Sequence, residues 1–222
     1  MARPDRESMR DERRWRTDRL ESFSDGVFAI AVTLLVLEIG VQGDWRADPL
    51  RAVLGLWPEY LAYIVSFATI GAIWLGHSAV TSYLQGTDRV LSRVNLLVLL
   101  AVSFLPFPTK LLGQFLSEER GERVATTMLG LNLFLASLLL YVFWRTALAR
   151  GHVAPDADDV DLALVTRRLT PGLLGYGVLI ATGLAFPLVA VGGYLLVALA
   201  LVLPSPWRRR RTTEGSEAAA GT

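Results

Sequence analysis

The sequence has no cysteine and only two histidines, His77 and His152, in 222 residues. The first absence excludes disulfides, thiolate metal sites and cysteine nucleophiles. The second leaves no metal-ligand pattern, because the two imidazoles lie far apart in the chain. A phosphate-binding glycine loop, a catalytic pair of carboxylates and a serine nucleophile motif are missing as well, and Ser24 has no base near it in sequence. The chain therefore does not read as an enzyme, and no cofactor or metal is expected. Charge is also missing over long stretches, and 172–203 carries none at all.

What is present is apolar. Hydrophobic residues make up 52% of the chain, with mean hydropathy +0.41, too much for a soluble domain of this size. The net charge is +1, and charges cluster at the ends and in loops, so their distribution matters more than their sum. The apolar runs predict spans near 20–41, 54–81, 90–105 and 124–147. At about 1.5 Å per residue, each of the longer ones crosses a hydrocarbon core of roughly 30 Å. Gly43, Asp44 and Asp48-Pro49 break the first, Trp57-Pro58 forms the entry to the second, and Pro106 and Pro108 are expected to close the third. An arginine-led apolar start resembles a signal peptide in outline. The run is too long for one, however, and Val41-Gln42-Gly43 is a poor cleavage site, so the helix is expected to be retained.

Arginine placement sets the topology. The arm 1–18 and the tail 206–222, with Arg208 to Arg211, are both basic, and basic segments stay in the cytoplasm. Both ends inside requires an even number of spans. The run 172–203 is about 48 Å long as one helix, too long for a bilayer, so it is split near Pro187 into two short helices. The expectation is an all-α integral membrane protein of six transmembrane helices with three parts: a frayed or partly helical cytoplasmic arm over 1–18, a membrane domain over 19–205, and a basic tail over 206–222. Arg167 and Arg168 are placed in an inner loop that follows an acidic loop over 151–161. The aspartates of that loop, Asp156, Asp158, Asp159 and Asp161, lack the glycine and the terminal glutamate of a calcium loop. Topology accounts for the terminal arginines without nucleic acid.

Three polar residues on three spans, Asp25, His77 and Asn95, fall at one depth, with Trp74 one turn from His77 and Arg19 just beyond Asp25. Buried polar groups in a bundle need partners. The expectation is one network in which Asp25 accepts from several of these donors, either to hold the fold or to flank a pathway. On the first span Ile30, Leu34 and Leu37 fall at i, i+4 and i+7 and form one stripe with Thr33 on its flank. Asp25 is roughly 140° around the helix from Ile30 at 100° per residue, so it points away from that stripe. The stripe faces lipid, another helix or something else. Glu38, about 80° from Ile30, lies at the outer end as an interfacial charge or one member of a carboxylate ring. The potassium filter sequence Thr-Val-Gly-Tyr-Gly is missing, so any ion selectivity needs another basis.

The run Arg19-Leu20-Glu21-Ser22-Phe23-Ser24-Asp25 resembles the Arg-x-x-x-Phe-Ser-Asp signature of the transmembrane protein 175 potassium channels. Trp74-x-x-His77, Asn95 and Pro106-Phe107-Pro108-Thr109 follow in the order that family shows. The resemblance is to the bacterial members, which carry one six-span unit. It implies a homotetramer in the lipid bilayer, with the first helices around a central pore that passes K+. It implies that Ile30 forms a hydrophobic constriction, that Leu34 and Leu37 continue it outward, and that Thr33 contributes to selectivity. Arg19, Phe23, Ser24 and Asp25 would then tie the first span to Trp74, His77 and Asn95. The activity it implies is a modestly selective, leak-like cation channel in the cell membrane with both termini cytoplasmic. The alternative from the residues is a proton- or cation-coupled transporter with Asp25 and His77 as a relay.

Overall fold

A computed structural model of the chain describes residues 6–40, 48–116, 118, 121–155 and 157–203. The tail arginines Arg208 to Arg211, the loop residue Arg46 and the acids Asp44 and Asp156 lie outside the described residues. Among the described residues there are eight α-helices: α1 (Arg6–Leu35), α2 (Pro49–Gly55), α3 (Trp57–Thr81), α4 (Arg89–Phe104), α5 (Pro106–Phe115), α6 (Glu122–Ala149), α7 (Asp159–Gly183) and α8 (Pro187–Val202). A single 3-10 turn, Val36–Glu38, extends α1.

Local chemistry sets most of the helix ends. Asp48 caps α2 by accepting from Arg51 N, with Pro49 next to it. Asp88 caps α4 by accepting from Leu91 N, and Asp158 caps α7 by accepting from Val160 N. In each case the carboxylate satisfies a backbone donor that the helix itself cannot. At the other end of α6, Gly151 takes φ 66°, and His152 N reaches back to Ala147 O at 3.0 Å. A left-handed residue just past the last turn closes a helix this way, and glycine takes that conformation without strain.

Three expectations from the sequence change here. Pro106 and Pro108 do not end a span; Pro106 opens α5, which follows α4 with Leu105 between them. A proline in a first turn gives up an N–H that had no partner there anyway. The two helices together make one span-length segment, Arg89–Phe115. The acidic loop is in part a helix start: Asp158, Asp159 and Asp161 cap and line the first turn of α7, where negative charge meets the positive end of the helix dipole. Arg167 and Arg168 therefore lie on α7 and not in a loop, and the helix runs through Pro171. α7 is thus 25 residues long with its charged residues in the first half, and the split before Pro187 is where the sequence placed it.

Among the described residues, four segments are long and apolar enough to cross a membrane: Thr17–Glu38, Trp57–Thr81, Arg89–Phe115 and Glu122–Ala149. α8 is apolar but shorter. The core lies among α3, α4, α5, α6, α7 and α8 and holds the buried rings of Phe143, Trp144, Tyr176 and Tyr194. Small residues let these helices approach closely, as membrane helices do. A Cβ on Gly183 would stand 3.2 Å from Ala190 Cβ and from Thr126 Cγ2, and one on Gly76 would stand 2.9 Å from Leu140. α1 lies at the edge, against α3 and α4. Only 22% of its membrane segment is buried, against 44–50% for the other three.

Candidate functional site

α1 has two faces. Ser24, Phe28, Ala31 and Leu35 recur at i, i+4, i+7 and i+11, and all are buried against the rest of the chain. Ile30, Leu34 and Leu37 lie on the other side and stay 60%, 41% and 72% exposed. That exposed strip is apolar over more than two turns, with Thr33 within it. The Thr33 hydroxyl donates to Ile30 O at 2.9 Å, so its proton is committed to its own helix and its lone pairs face outward.

The polar residues tie α1 down in two separate pieces. In the first, Ser24 Oγ donates to Leu20 O at 2.8 Å, Asn95 Nδ2 donates to Ser24 Oγ at 2.9 Å, and Asn95 Oδ1 lies 2.7 Å from His77 Nε2. With the amide nitrogen on Ser24, the Asn95 oxygen can only accept, which puts the imidazole proton on Nε2. His77 Nδ1 is then a bare acceptor, buried and without a partner. The imidazole lies between two rings, stacked on Phe143 at 5.4 Å and tilted to Phe28 at 5.5 Å. One chain of bonds thus joins α1, α4 and α3.

In the second piece, Trp74 Nε1 donates to Asp25 Oδ1 at 2.9 Å. Asp25 takes one indole donor from α3 instead of gathering several, and its side chain lies on the exposed side of α1. Asp25 and His77 do not hydrogen-bond to each other, so the single network the sequence suggests is two. A relay between these residues would have to cross a gap. Phe23, grouped with the polar residues in the sequence, is 57% exposed. It lines a cleft with Arg19 at the same end of α1.

At the opposite end of the helix Glu38 pairs with Lys110 Nζ on α5 at 3.1 Å. It is therefore an ion pair within the chain, between this turn and α5. Deeper in, Ser66 and Thr109 share a buried hydroxyl contact of 2.7 Å between α3 and α5. Sequence reasoning missed both contacts, along with the Phe143 stack. Lys110, expected in an outer loop, stands on α5, and nothing in the sequence marked its partner.

Beyond the span of α4, Asp88 bonds Leu91 N and pairs with the Arg150 guanidinium, with His152 Nε2 at 3.4 Å. The backbone donor at Leu91, with help from Arg150 and His152, holds its carboxyl down at about 2. No cluster of three or more metal-ligating side chains exists among the described residues.

A sequence model of the family described as "Endosomal/lysosomal potassium channel TMEM175" matches residues 19–106, which contain both polar pieces and the exposed strip. A potassium channel of Streptomyces collinus is 41% identical over 170 residues, covering 76% of this chain and 82% of its own. The human endosomal/lysosomal proton channel TMEM175 is 33% identical over 144 residues, 59% of this chain but only 28% of its own length. Among solved structures, a lysosomal potassium-selective channel TMEM175 homolog from Chamaesiphon minutus superposes with TM-score 0.74 at 33% identity, covering 83% of this chain and 95% of that one.

Proposed function

The chain belongs to the TMEM175 family of ion channels, and on that premise we propose that it is a potassium-permeable cation channel whose pore is lined by α1. The observation that carries this reading is the exposed strip of Ile30, Leu34 and Leu37 on a helix whose other face is fully packed. Lipid tails would cover such a strip as readily as protein; membership of a channel family gives it another cover. Four copies of α1 around an axis supply one, as a homotetramer. Ile30 then makes the narrowest ring, with Leu34 and Leu37 further out, and the ring gates by excluding water until it widens slightly. The outward lone pairs of Thr33 are the polar groups nearest the constriction, and they assist partly dehydrated K+. Side chains rather than a carbonyl cage face the ion, so selectivity over Na+ is modest.

The remaining assignments follow from the same premise. Residues 19–205 form the channel domain with six crossings: the four span-length segments, then α7 and α8. The arm 1–18 and the tail 206–222 are cytoplasmic, and the protein resides in the cell membrane. Arg19, Ser24, Asp25, Trp74, His77 and Asn95 hold α1 in register and stay out of the ion path. Glu38 acts through Lys110 and not as a free carboxylate in the outer mouth. No K+ filter loop and no cofactor take part.

The test is reconstitution of the purified chain with K+ and Na+ flux, followed by single-channel recording of Ile30→Asn and Ile30→Ala. Both variants should raise conductance, because a polar or smaller ring wets more readily. Unchanged conductance in both would remove Ile30 from the gate. A K+ over Na+ ratio on the order of hundreds would contradict a side-chain-lined pore. Saturating counter-transport in place of ohmic current would favour the transporter.

A further inference from the structure

The start of the membrane segment of α1 and the first turns of α4 enclose a cleft of about 530 Å³, lined among others by Arg19, Phe23, Arg89, Ser92, Arg93 and Leu96. We propose that this cleft binds the phosphate of an anionic glycerophospholipid, with Arg89 and Arg93 on the headgroup and an acyl chain running along Phe23 and Leu96.

Charge is the first argument. Arg89 and Arg93 are at i and i+4 on one face of α4, and neither forms an ion pair among the described residues. The acid in the lining, Asp88, is already committed. It caps α4 through Leu91 N and pairs with Arg150 and His152, so it does not neutralise the two arginines. The first turn of α4 adds the positive end of a helix dipole. Guanidinium groups offer paired donors that match phosphate oxygens.

Shape and depth are the second. Leu96 and Leu100 follow Arg89 and Arg93 on the same face of α4, and both are exposed. Phe23 faces them from α1 and is also exposed. The surface therefore changes from basic to apolar along one line, the polarity order of a phospholipid. The volume suits a headgroup, with the tails outside along the apolar line. The cleft lies where two span-length helices end, at headgroup depth, and basic groups at that depth attract anionic lipid. Asn95 also lines it, so the bound phosphate would abut the hydrogen-bond chain that fixes α1.

The inference rests on α1 and α4 crossing the membrane, as the channel reading has it, but not on conduction. Its test is therefore lipid retention. The full chain, purified in detergent and stripped of lipid, is titrated with phosphatidylglycerol or phosphatidylcholine, and adducts are read by native mass spectrometry. The wild type should retain phosphatidylglycerol well above phosphatidylcholine. Arg89→Gln with Arg93→Gln should cut that retention by a factor of about five per arginine. Ser92→Asp keeps both arginines, puts an acid where a first helical turn tolerates it, and should bring retention down to the phosphatidylcholine level. Arg167→Gln with Arg168→Gln removes equal charge from α7, away from the cleft, and should retain the lipid as wild type does. Equal loss in both arginine pairs, or no loss with Ser92→Asp, would overturn the site. Displacement of the lipid by millimolar inorganic phosphate would overturn the lipid assignment.

Discussion

Replacing Asn95 by Leu tests how α1 is held. Leucine approximates the shape of asparagine, so packing changes little and the hydrogen bonds are what is lost. Two go: Asn95 Oδ1 with His77 Nε2 at 2.7 Å, and Asn95 Nδ2 with Ser24 Oγ at 2.9 Å. Ser24 keeps its bond to Leu20 O and loses only an accepted one. His77 fares worse. Its Nδ1 already has no partner, and the substitution would leave Nε2–H unpaired as well, between two aromatic rings. An orphaned buried donor costs about 1–3 kcal/mol, and the lost Ser24 bond about 1 kcal/mol, partly offset by the added apolar surface. A net loss of about 2 kcal/mol lowers the folded-to-unfolded ratio about 30-fold. For a chain of this size it lowers Tm by roughly 4–8 °C. Removing both partners should cost less than removing one, so His77→Phe on top of Asn95→Leu should recover much of the loss, a coupling of about 1–2 kcal/mol. Intrinsic fluorescence melts of the four proteins in one detergent close the cycle. Asn95→Leu within 1 °C of wild type, or a double variant less stable than the single, would refute the claim that this chain of bonds fixes α4 to α1 and α3.

The other predictions use different parts of the molecule. Asp25→Ala leaves the Trp74 indole without its acceptor and should lower assembly more than it alters reversal potential. Asp25→Asn keeps an acceptor oxygen and should assemble like wild type. An Asp25→Ala tetramer that remains intact with a shifted reversal potential would put Asp25 in the ion path. Asp88 titrates at about 2 in the folded chain, below the ordinary carboxyl value of 3.8. A lowered folded value means its stabilisation is complete above the ordinary value and is lost as pH falls through the folded one. The Tm difference between wild type and Asp88→Asn should therefore be present at about pH 5 and shrink below about pH 4. A difference that grew on acidification would contradict the capping geometry.

Helical period alone grouped Ile30, Leu34 and Leu37 into one stripe; the opposite face of Phe28, Ala31 and Leu35 emerged from the packing. The neighbourhood was legible in part: Asn95 bonds both His77 and Ser24, the residue next to Asp25. Azimuth was not, and azimuth decided the pairing. Ser24 faces α4 and takes Asn95, while Asp25, 100° further around, takes the indole of α3. The prolines at 106 and 108 were misplaced because the same missing donor that ends one helix is harmless in the first turn of the next. The aspartates near 158 looked like a solvated loop because composition does not distinguish a loop from the capped start of a helix. Phe143 could not be foreseen, since a ring partner on α6 is set by packing and not by local pattern.

On the proposed reading, the anchoring of α1 also narrows the choice between two ways of opening. The helix is pinned by polar contacts near one end, at Ser24 and Asp25, and near the other at Glu38. Between them Phe28, Ala31 and Leu35, with the half-buried Val27 and Val32, hold it through close packing. Turning α1 far enough to swing Ile30 off the axis would stretch both inner hydrogen bonds and the Glu38–Lys110 pair together. The Asn95–Ser24 bond is buried and the Trp74–Asp25 bond exposed; each is worth about 1 kcal/mol, and the buried groups left unpaired raise that cost. A ring of isoleucines needs much less. A slight outward shift lets water enter, and the pore passes from dry to conducting without any polar contact breaking. The packing of α1 thus favours a pore that opens by wetting at Ile30 while its anchors stay in place.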